Sequence, residues 1–238
     1  EGLDFDTALA NAQKLGYAER NPKNDVEGHD ACRKIAILSS LAYGMHVDFE
    51  DIYTEGITGI SNKDFAYAKA LDAKIKLLAS SIRQDDQVYA MVAPVMIKEN
   101  HPLYSVNDVF NGIFVRGNVI GDVMFYGRGA GKLPTASAVV ADVVDAAKHM
   151  GTNIWTIWSS KKLELTDISQ VKHRFFVRVS GDANELKDHV RELFGEVEEL
   201  NAQLQGEYAF ITELISEQEM KDKKNTLGGV LSVIRTRF

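Results

Sequence analysis

Ile75-Lys76-Leu77-Leu78-Ala79-Ser80-Ser81-Ile82, followed after Gln84-Asp85-Asp86-Gln87 by Val88-Tyr89-Ala90-Met91-Val92-Ala93-Pro94-Val95-Met96-Ile97, is the stretch that decides the fold. Both apolar runs are bounded by polar punctuation, so they read as strands over 75–82 and 88–97 with Asp85-Asp86 as the hairpin turn. A second pair follows, 109–115 and 119–126, turned at Gly117-Asn118. Successive strands on short turns imply an antiparallel sheet with one face covered by helices.

Helices are expected on either side of these strands. Phe5, Leu9, Ala12 and Leu15 recur at helical spacing before Gly16, a stop signal. A polar loop over 17–27 leads into a helix over 28–43, with Ala31, Ile35, Leu38, Leu41 and Ala42 as its apolar stripe and Gly44 as its end. A third helical pattern runs from Asn62 toward Asp72, and a fourth, packed with small residues, covers 134–150. Residues 151–171 read as a linker, with a short strand at 154–158. Beyond Lys172 the pattern restarts: strand 173–179, helix 184–194, strands 196–200 and 207–214, helix 216–224, strand 229–236. That is βαββαβ, a small split-βαβ sandwich. The expected fold class is α+β: a largely antiparallel sheet covered by helices, then a small ferredoxin-like domain. The expected division is 1–150, the linker 151–171, and 172–238.

At 238 residues the chain is long enough for one large domain or two smaller ones. Its net charge of −7 lacks the basic footprint of a nucleic-acid binder. No run approaches the ~20 apolar residues of a membrane-spanning helix. Cys32 is the only cysteine, so no disulfide can form within the chain, and a cytoplasmic setting is expected. The chain opens close to a helix with no initiating Met, as a fragment of a longer protein would.

The most chemical stretch is Gly16-Tyr17-Ala18-Glu19-Arg20-Asn21-Pro22-Lys23-Asn24-Asp25-Val26-Glu27-Gly28-His29-Asp30-Ala31-Cys32-Arg33-Lys34. Asp30 and Lys34 stand four apart and share one helix face, and Asp30 suits the positive end of the helix dipole. Several carboxylates around one ammonium could hold a zwitterionic amino acid. An exposed helix start with an ordinary i,i+4 ion pair serves the same spacing and is the commoner arrangement. Spacing alone does not decide between them. Cys32 reads as a packing residue, His29 as a surface one, and no metal ligand is assigned.

This run resembles the signature segment of the homoserine dehydrogenase family, Tyr-x-Glu-x-Asp-Pro, then Asp-Val-x-Gly-x-Asp-Ala and a lysine. The likeness continues through Ala36-Ile37-Leu38, Gly56-Ile57, Ile75-Lys76-Leu77-Leu78, residues 92–95, Pro102-Leu103 and Asn111. It reaches Gly129-Ala130-Gly131-Lys132-Leu133-Pro134-Thr135-Ala136-Ser137-Ala138-Val139, close to the family's Gly-Ala-Gly-x-x-Pro-Thr-Ala-Ser-Ala-Val, and so covers residues 1 to about 150. Asn21 departs from it, standing where the family has the Asp before Pro.

The resemblance implies an NAD(P)-dependent oxidoreductase interconverting L-aspartate 4-semialdehyde and L-homoserine, in threonine and methionine biosynthesis. Lys34 would be the catalytic acid/base group. Glu19, Asp25 and Asp30 would bind the substrate. Gly129, Ala130 and Gly131 would face the nicotinamide cofactor. No strand–Gly-x-Gly-x-x-Gly–helix unit occurs in the chain, so NAD(P) is expected in the intact enzyme and not on this piece alone. The pattern beyond Lys172 resembles an ACT domain, which implies an L-threonine effector, although Ser180-Gly181-Asp182-Ala183 lacks the common Asp-x-Pro-Gly. Open sheet edges imply a homodimer or higher homo-oligomer. The rival reading is a non-catalytic, amino-acid-binding regulatory or dimerisation module.

Overall fold

The computed structural model describes Leu3 and residues 5–155, 158–200 and 204–238. In chain order the elements are α1 (Phe5–Lys14), α2 (Lys23–Val26), α3 (His29–Tyr43), β1 (Met45–His46), β2 (Tyr53–Thr54), α4 (Asn62–Ala70), β3 (Ala73–Gln84) and β4 (Gln87–Lys98). There follow β5 (Phe110–Gly117), β6 (Gly121–Arg128), α5 (Lys132–Lys148), β7 (Ser159–Lys162), β8 (Lys172–Ser180), α6 (Ala183–Phe194), β9 (Val197–Leu200), β10 (Glu207–Thr212), β11 (Ile215–Ser216), α7 (Glu217–Leu227) and β12 (Val230–Arg237). The architecture is the expected α+β one.

The β3–β4 hairpin forms as read, paired from Ala73↔Lys98 to Gln84↔Gln87 across the two-residue turn. Asp85 supplies the left-handed conformation that turn needs, with φ 53°. β4 is buried from Ala90 to Ile97, with Ala90 and Val92 facing α3 and Met91, Val95 and Ile97 facing the loop after it. Its second edge is shared: β2 pairs at Met91 and Val92, and β12 at Val95, Met96 and Ile97, both parallel. Pro94 sits where one partner gives way to the other. The carbonyl of Val92 accepts from Glu55 N–H at 2.8 Å, so by strand alternation the Pro94 nitrogen faces the gap on that same edge. A central strand tolerates proline there because no ladder donor is required.

Beyond β12 the sheet runs on through β8, β10 and β9. The strands after Lys172 therefore lie in the order β12-β8-β10-β9, all antiparallel to their neighbours, and form the expected βαββαβ topology. Alternation on β8 divides the core. Phe175, Val177 and Val179 pack with Val190, Phe194 and Met220 of α6 and α7, whereas Phe176 packs with Tyr67 and Ala68 of α4. Sequence reading separated residues 1–150 from 172–238; in the structure both contribute to one eight-stranded sheet. A buried cluster reinforces that join: Arg178 of β8 donates to Asp64 at 3.1 Å, to Glu207 at 2.9 Å and to Ser61 at 2.9 Å.

Three local expectations are corrected. The buried residues of α3 are Cys32, Ala36, Ser39 and Ser40, while Leu38 and Leu41 of the expected stripe are exposed. Small side chains let the helix sit closely on β4, and Ser40 Oγ bridges by donating to Ala36 O and accepting from Val47 N–H. The second hairpin turns at 118–120, with Gly117 paired to Gly121, so Val119 belongs to the turn. That hairpin is a separate two-stranded sheet, because its partner strand in sequence, β4, is already paired on both edges. Residues 156–157 of the short strand read at 154–158 lie outside the described residues; β7 begins at Ser159 and pairs with β1 in parallel. Among the described residues no helix is long and apolar enough to cross a membrane.

Candidate active site

Pro22 opens α2, and Gly28 then turns the chain into α3 with φ 77°. Gly28 is buried: a Cβ there would lie 3.1 Å from Val92 Cγ1 and 3.3 Å from Thr54 Cγ2. The start of α3 is thus seated directly on the central strand. The same turn is tied from the side, where Ile57 N–H donates to Val26 O at 2.8 Å. A Cβ on Gly56 would come within 2.5 Å of that carbonyl and 2.7 Å of Glu27 Cα. Glycine is required by this close approach of two backbones.

From that anchored start, Asp30 and Lys34 project from successive turns. Asp30 Oδ2 and Lys34 Nζ are 2.6 Å apart, with both side chains substantially exposed. The two residues line a cavity of about 580 Å³, together with Leu77, Leu103, Asn111 and Phe114. Leu103 is carried by a loop held over β3, where Lys74 Nζ donates to Tyr104 O at 3.3 Å and Lys76 Nζ to Asn107 Oδ1 at 3.0 Å. Burial, followed by the neighbouring Lys74, pushes the Lys76 ammonium below its ordinary range.

Asn111 connects this cavity to the glycine turn. A Cβ on Gly129 would fall 1.4 Å from Asn111 Nδ2, so the amide occupies the space a side chain would take. Gly129 N–H also donates to Val109 O at 3.0 Å, fixing the turn against β5. Gly131 precedes α5 with φ 117°, and no side chain caps that helix. Pro134 has no N–H and Thr135 N–H donates to Gly131 O at 3.1 Å, so Lys132 and Leu133 carry the first-turn amides that could meet a polar or anionic group, with Arg128 shortly before them in the chain.

Of the residues singled out in sequence, the structure brings together Asp30 and Lys34, with Gly129 touching the cavity wall through Asn111. Glu19 and Asp25 are exposed and are not among the residues lining that cavity. Glu19 lies beyond α1, which buries no side chain, and its carbonyl accepts from Gln13 at 2.8 Å. Sequence reading did not anticipate Ile113 and Phe114 in the wall, since both read as ordinary residues of an apolar strand.

A second polar constellation, which carries no motif, lies behind the glycine at 56. Arg235 donates to Glu217 through Nε at 2.5 Å and Nη2 at 2.8 Å, and to Glu55 through Nη1 at 2.7 Å. Its guanidinium also stands over the Tyr53 ring. Burial works against this cation, but Glu217 and then Glu55 outweigh it and hold its pKa above the ordinary value. His173 approaches Glu217 to 3.8 Å, yet burial, then Arg235 and Arg237, push its pKa down to about 4. The imidazole is neutral near pH 7, so that approach is no ion pair.

With this geometry in hand, comparison with known proteins is direct. The homoserine dehydrogenase family profile matches residues 1–144. Homoserine dehydrogenase of Synechocystis sp. is 52% identical over 149 residues, which are 61% of this chain and 34% of that one. The Bacillus subtilis enzyme is 42% identical over 150 residues, 63% and 35% of the two chains. The solved homoserine dehydrogenase of Thiobacillus denitrificans superposes with a TM-score of 0.85 at 31% identity, covering 100% of this chain and 59% of that one. That of S. aureus at pH 6.0 gives 0.76 at 32%, covering 99% and 60%. The likeness of fold thus includes the region after Lys172. The chain spans about a third of the length of the curated relatives it matches and about 60% of the solved chains. It belongs to the homoserine dehydrogenase family.

Proposed function

We propose that this chain supplies the substrate side of an NAD(P)-dependent oxidoreductase that interconverts L-aspartate 4-semialdehyde and L-homoserine. The observation that carries this reading is the Asp30–Lys34 pair at 2.6 Å on the wall of a cavity of about 580 Å³. NAD(P), when bound, supplies or removes the hydride at the carbon that changes oxidation state. The Lys132 and Leu133 amides at the start of α5, with Arg128 nearby in the chain, suit one polar edge of such a dinucleotide; Gly129, Ala130 and Gly131 form the turn that would face it.

The chain's own residues handle charge and proton. The Lys34 ammonium stands where it can meet a carbonyl oxygen, stabilise the developing alkoxide and donate a proton to it. In the oxidative direction the neutral amine form of Lys34 takes the hydroxyl proton and returns to the ammonium. Asp30 orients the ammonium and offers a carboxylate to the substrate's amino group. Glu19, on the loop before α2, and Asp25, within α2, are the further substrate-binding carboxylates of this proposal, on the strength of the family resemblance.

The experiment uses the full-length protein. Replacing Lys34 with Ala is expected to lower turnover by roughly 10²–10⁴-fold, the range for general acid–base groups. A loss below tenfold rejects the role. The 238-residue chain alone is expected to show no turnover in a steady-state assay with homoserine and either nicotinamide cofactor.

The same proposal takes in a homodimer and an L-threonine effector at the carboxyl-terminal module. The exposed Val139, Val140 and Val143 of α5, which buries none of its residues, speak for association. The β12-β8-β10-β9 order speaks for an ACT-like module. Titration with L-threonine at increasing protein concentration tests both.

A further inference from the structure

A second cavity, of about 640 Å³, lies on the far side of Leu78 and Phe114 from Lys34. Arg83, His101, Arg116 and Arg237 line it, and none of its lining residues is Asp or Glu. In a chain of net charge −7, three guanidiniums and an imidazole around a carboxylate-free space are an arrangement that needs a reason.

The donors are unequally committed. Arg116 gives Nε and Nη2 to Asp122, at 2.7 and 3.1 Å, on the solvent side of the hairpin. Arg83 gives Nε to Asp85 O at 3.2 Å and, among the described residues, keeps both terminal nitrogens. His101 Nδ1 accepts from Leu103 N–H at 3.2 Å, so the neutral ring carries its proton on Nε2 as a donor. Arg237 is the least satisfied. Nη2 donates to Ser80 Oγ at 2.8 Å, and among the described residues it makes no ion pair. Burial pushes its pKa below the ordinary arginine value. A half-buried guanidinium without a carboxylate partner is costly and is relieved by an anion. Ser81 Oγ and Tyr43 OH, 3.2 Å apart, add hydroxyl partners on the same wall.

We propose that this cavity is an oxyanion site that takes the phosphate group of a small molecule, with Arg237 as its central ligand. Its planar fork, with Arg83 and the Ser80 and Ser81 hydroxyls, matches tetrahedral oxygens. The cavity is larger than inorganic phosphate requires, so a phosphate monoester fits as well as the free ion. The site shares no cationic residue with the Asp30–Lys34 cavity and stands or falls independently of the activity proposed above.

Calorimetric titration of the 238-residue chain tests it, at constant ionic strength set with chloride. The probes are inorganic phosphate, glycerol 3-phosphate and succinate. Saturable binding of phosphate or glycerol 3-phosphate, weakened about tenfold or more in Arg237→Gln, is expected. The tighter of the two names the source of the phosphate. Should Arg237→Gln fail to fold, Arg83→Gln, at the exposed end of β3, must show the same direction of change. Equal heats from succinate and phosphate, or undiminished binding in a folded Arg237→Gln, overturn the proposal. So does a dimer seen by sedimentation that Arg237→Gln dissociates while the native chain binds no phosphate, since a carboxylate of a second copy would then be the partner.

Discussion

Arg235 in the last strand holds Glu55 at 2.7 Å across a separation of 180 residues, and Glu55 immediately precedes the glycine that packs on the entry to α3. The carboxyl-terminal strand thus reaches, through one guanidinium, the turn that seats Asp30 and Lys34. Replacing Arg235 with Met leaves Glu217 and Glu55 without their cation. A loss of ~3 kcal/mol is expected from breaking such a buried pair. In a chain of this size that lowers the melting temperature by roughly 6–12 °C, measurable by circular dichroism. A shift under a degree would show that the clamp adds nothing.

Gly56→Ala acts on the other side of the same contact. The new Cβ would meet Val26 O at 2.5 Å and Glu27 Cα at 2.7 Å, both backbone positions that yield only if the turn moves. A destabilisation of ~1–3 kcal/mol is expected from such overpacking. In the full-length protein, the displaced start of α3 should raise the Michaelis constant for homoserine together with the loss of stability.

Gly129→Ala meets a side chain instead. Its Cβ would coincide with the amide of Asn111, which must swing out of the cavity wall. The expected outcome is a small loss of stability, about 1 kcal/mol, with a much larger loss of turnover in the full-length protein. Asn111→Ala combined with Gly129→Ala should restore stability but not activity, which a melting curve and an assay on the double variant would separate.

Acid sensitivity has a specific source in His173. Its folded pKa of about 4 lies below the ordinary 6.5, so the unfolded chain binds the proton first as pH falls. Stability is therefore lost as pH drops from about 6.5 to about 4, by up to ~3 kcal/mol. His101 is displaced in the same direction, by burial and then Arg237 and Arg116, and adds to the slope. His173 stacks edge-on against Tyr89 and Phe175, so His173→Phe keeps the packing. Denaturant titrations at pH 7 and pH 4.5 should show a smaller difference for that variant than for the native chain.

Much of the fold was legible because its signals are local. The β3–β4 hairpin is announced by two apolar runs and an Asp-Asp turn, and α3 ends at Gly44 with φ 69° as the glycine predicts. The i,i+4 spacing put Asp30 and Lys34 on one face, and they meet. The helix stripe was misread because Leu38 and Leu41 look like core in any isolated helix, whereas close seating on Ala90 and Val92 favours Cys32, Ala36 and two serines. The place of β12 beside β4 left no mark at all, since strand pairing across some 140 residues has no sequence period. The expected strand at 229–236 took in Arg235 without assigning it a role and stopped short of Arg237. Only the topology reveals that Arg235 is a buried cation and Arg237 a half-buried one, in two separate clusters.

The position of β12 also governs how the protein can be made. It lies between β4 and β8 in the middle of the sheet, yet it follows both of them in chain order, more than 130 residues after β4. Until β12 is in place, the exposed edges of β4 and β8 face each other unjoined, which is the state most open to wrong pairing with other chains. A chain cut before Val230 would be not a slightly shortened protein but one whose sheet never closes.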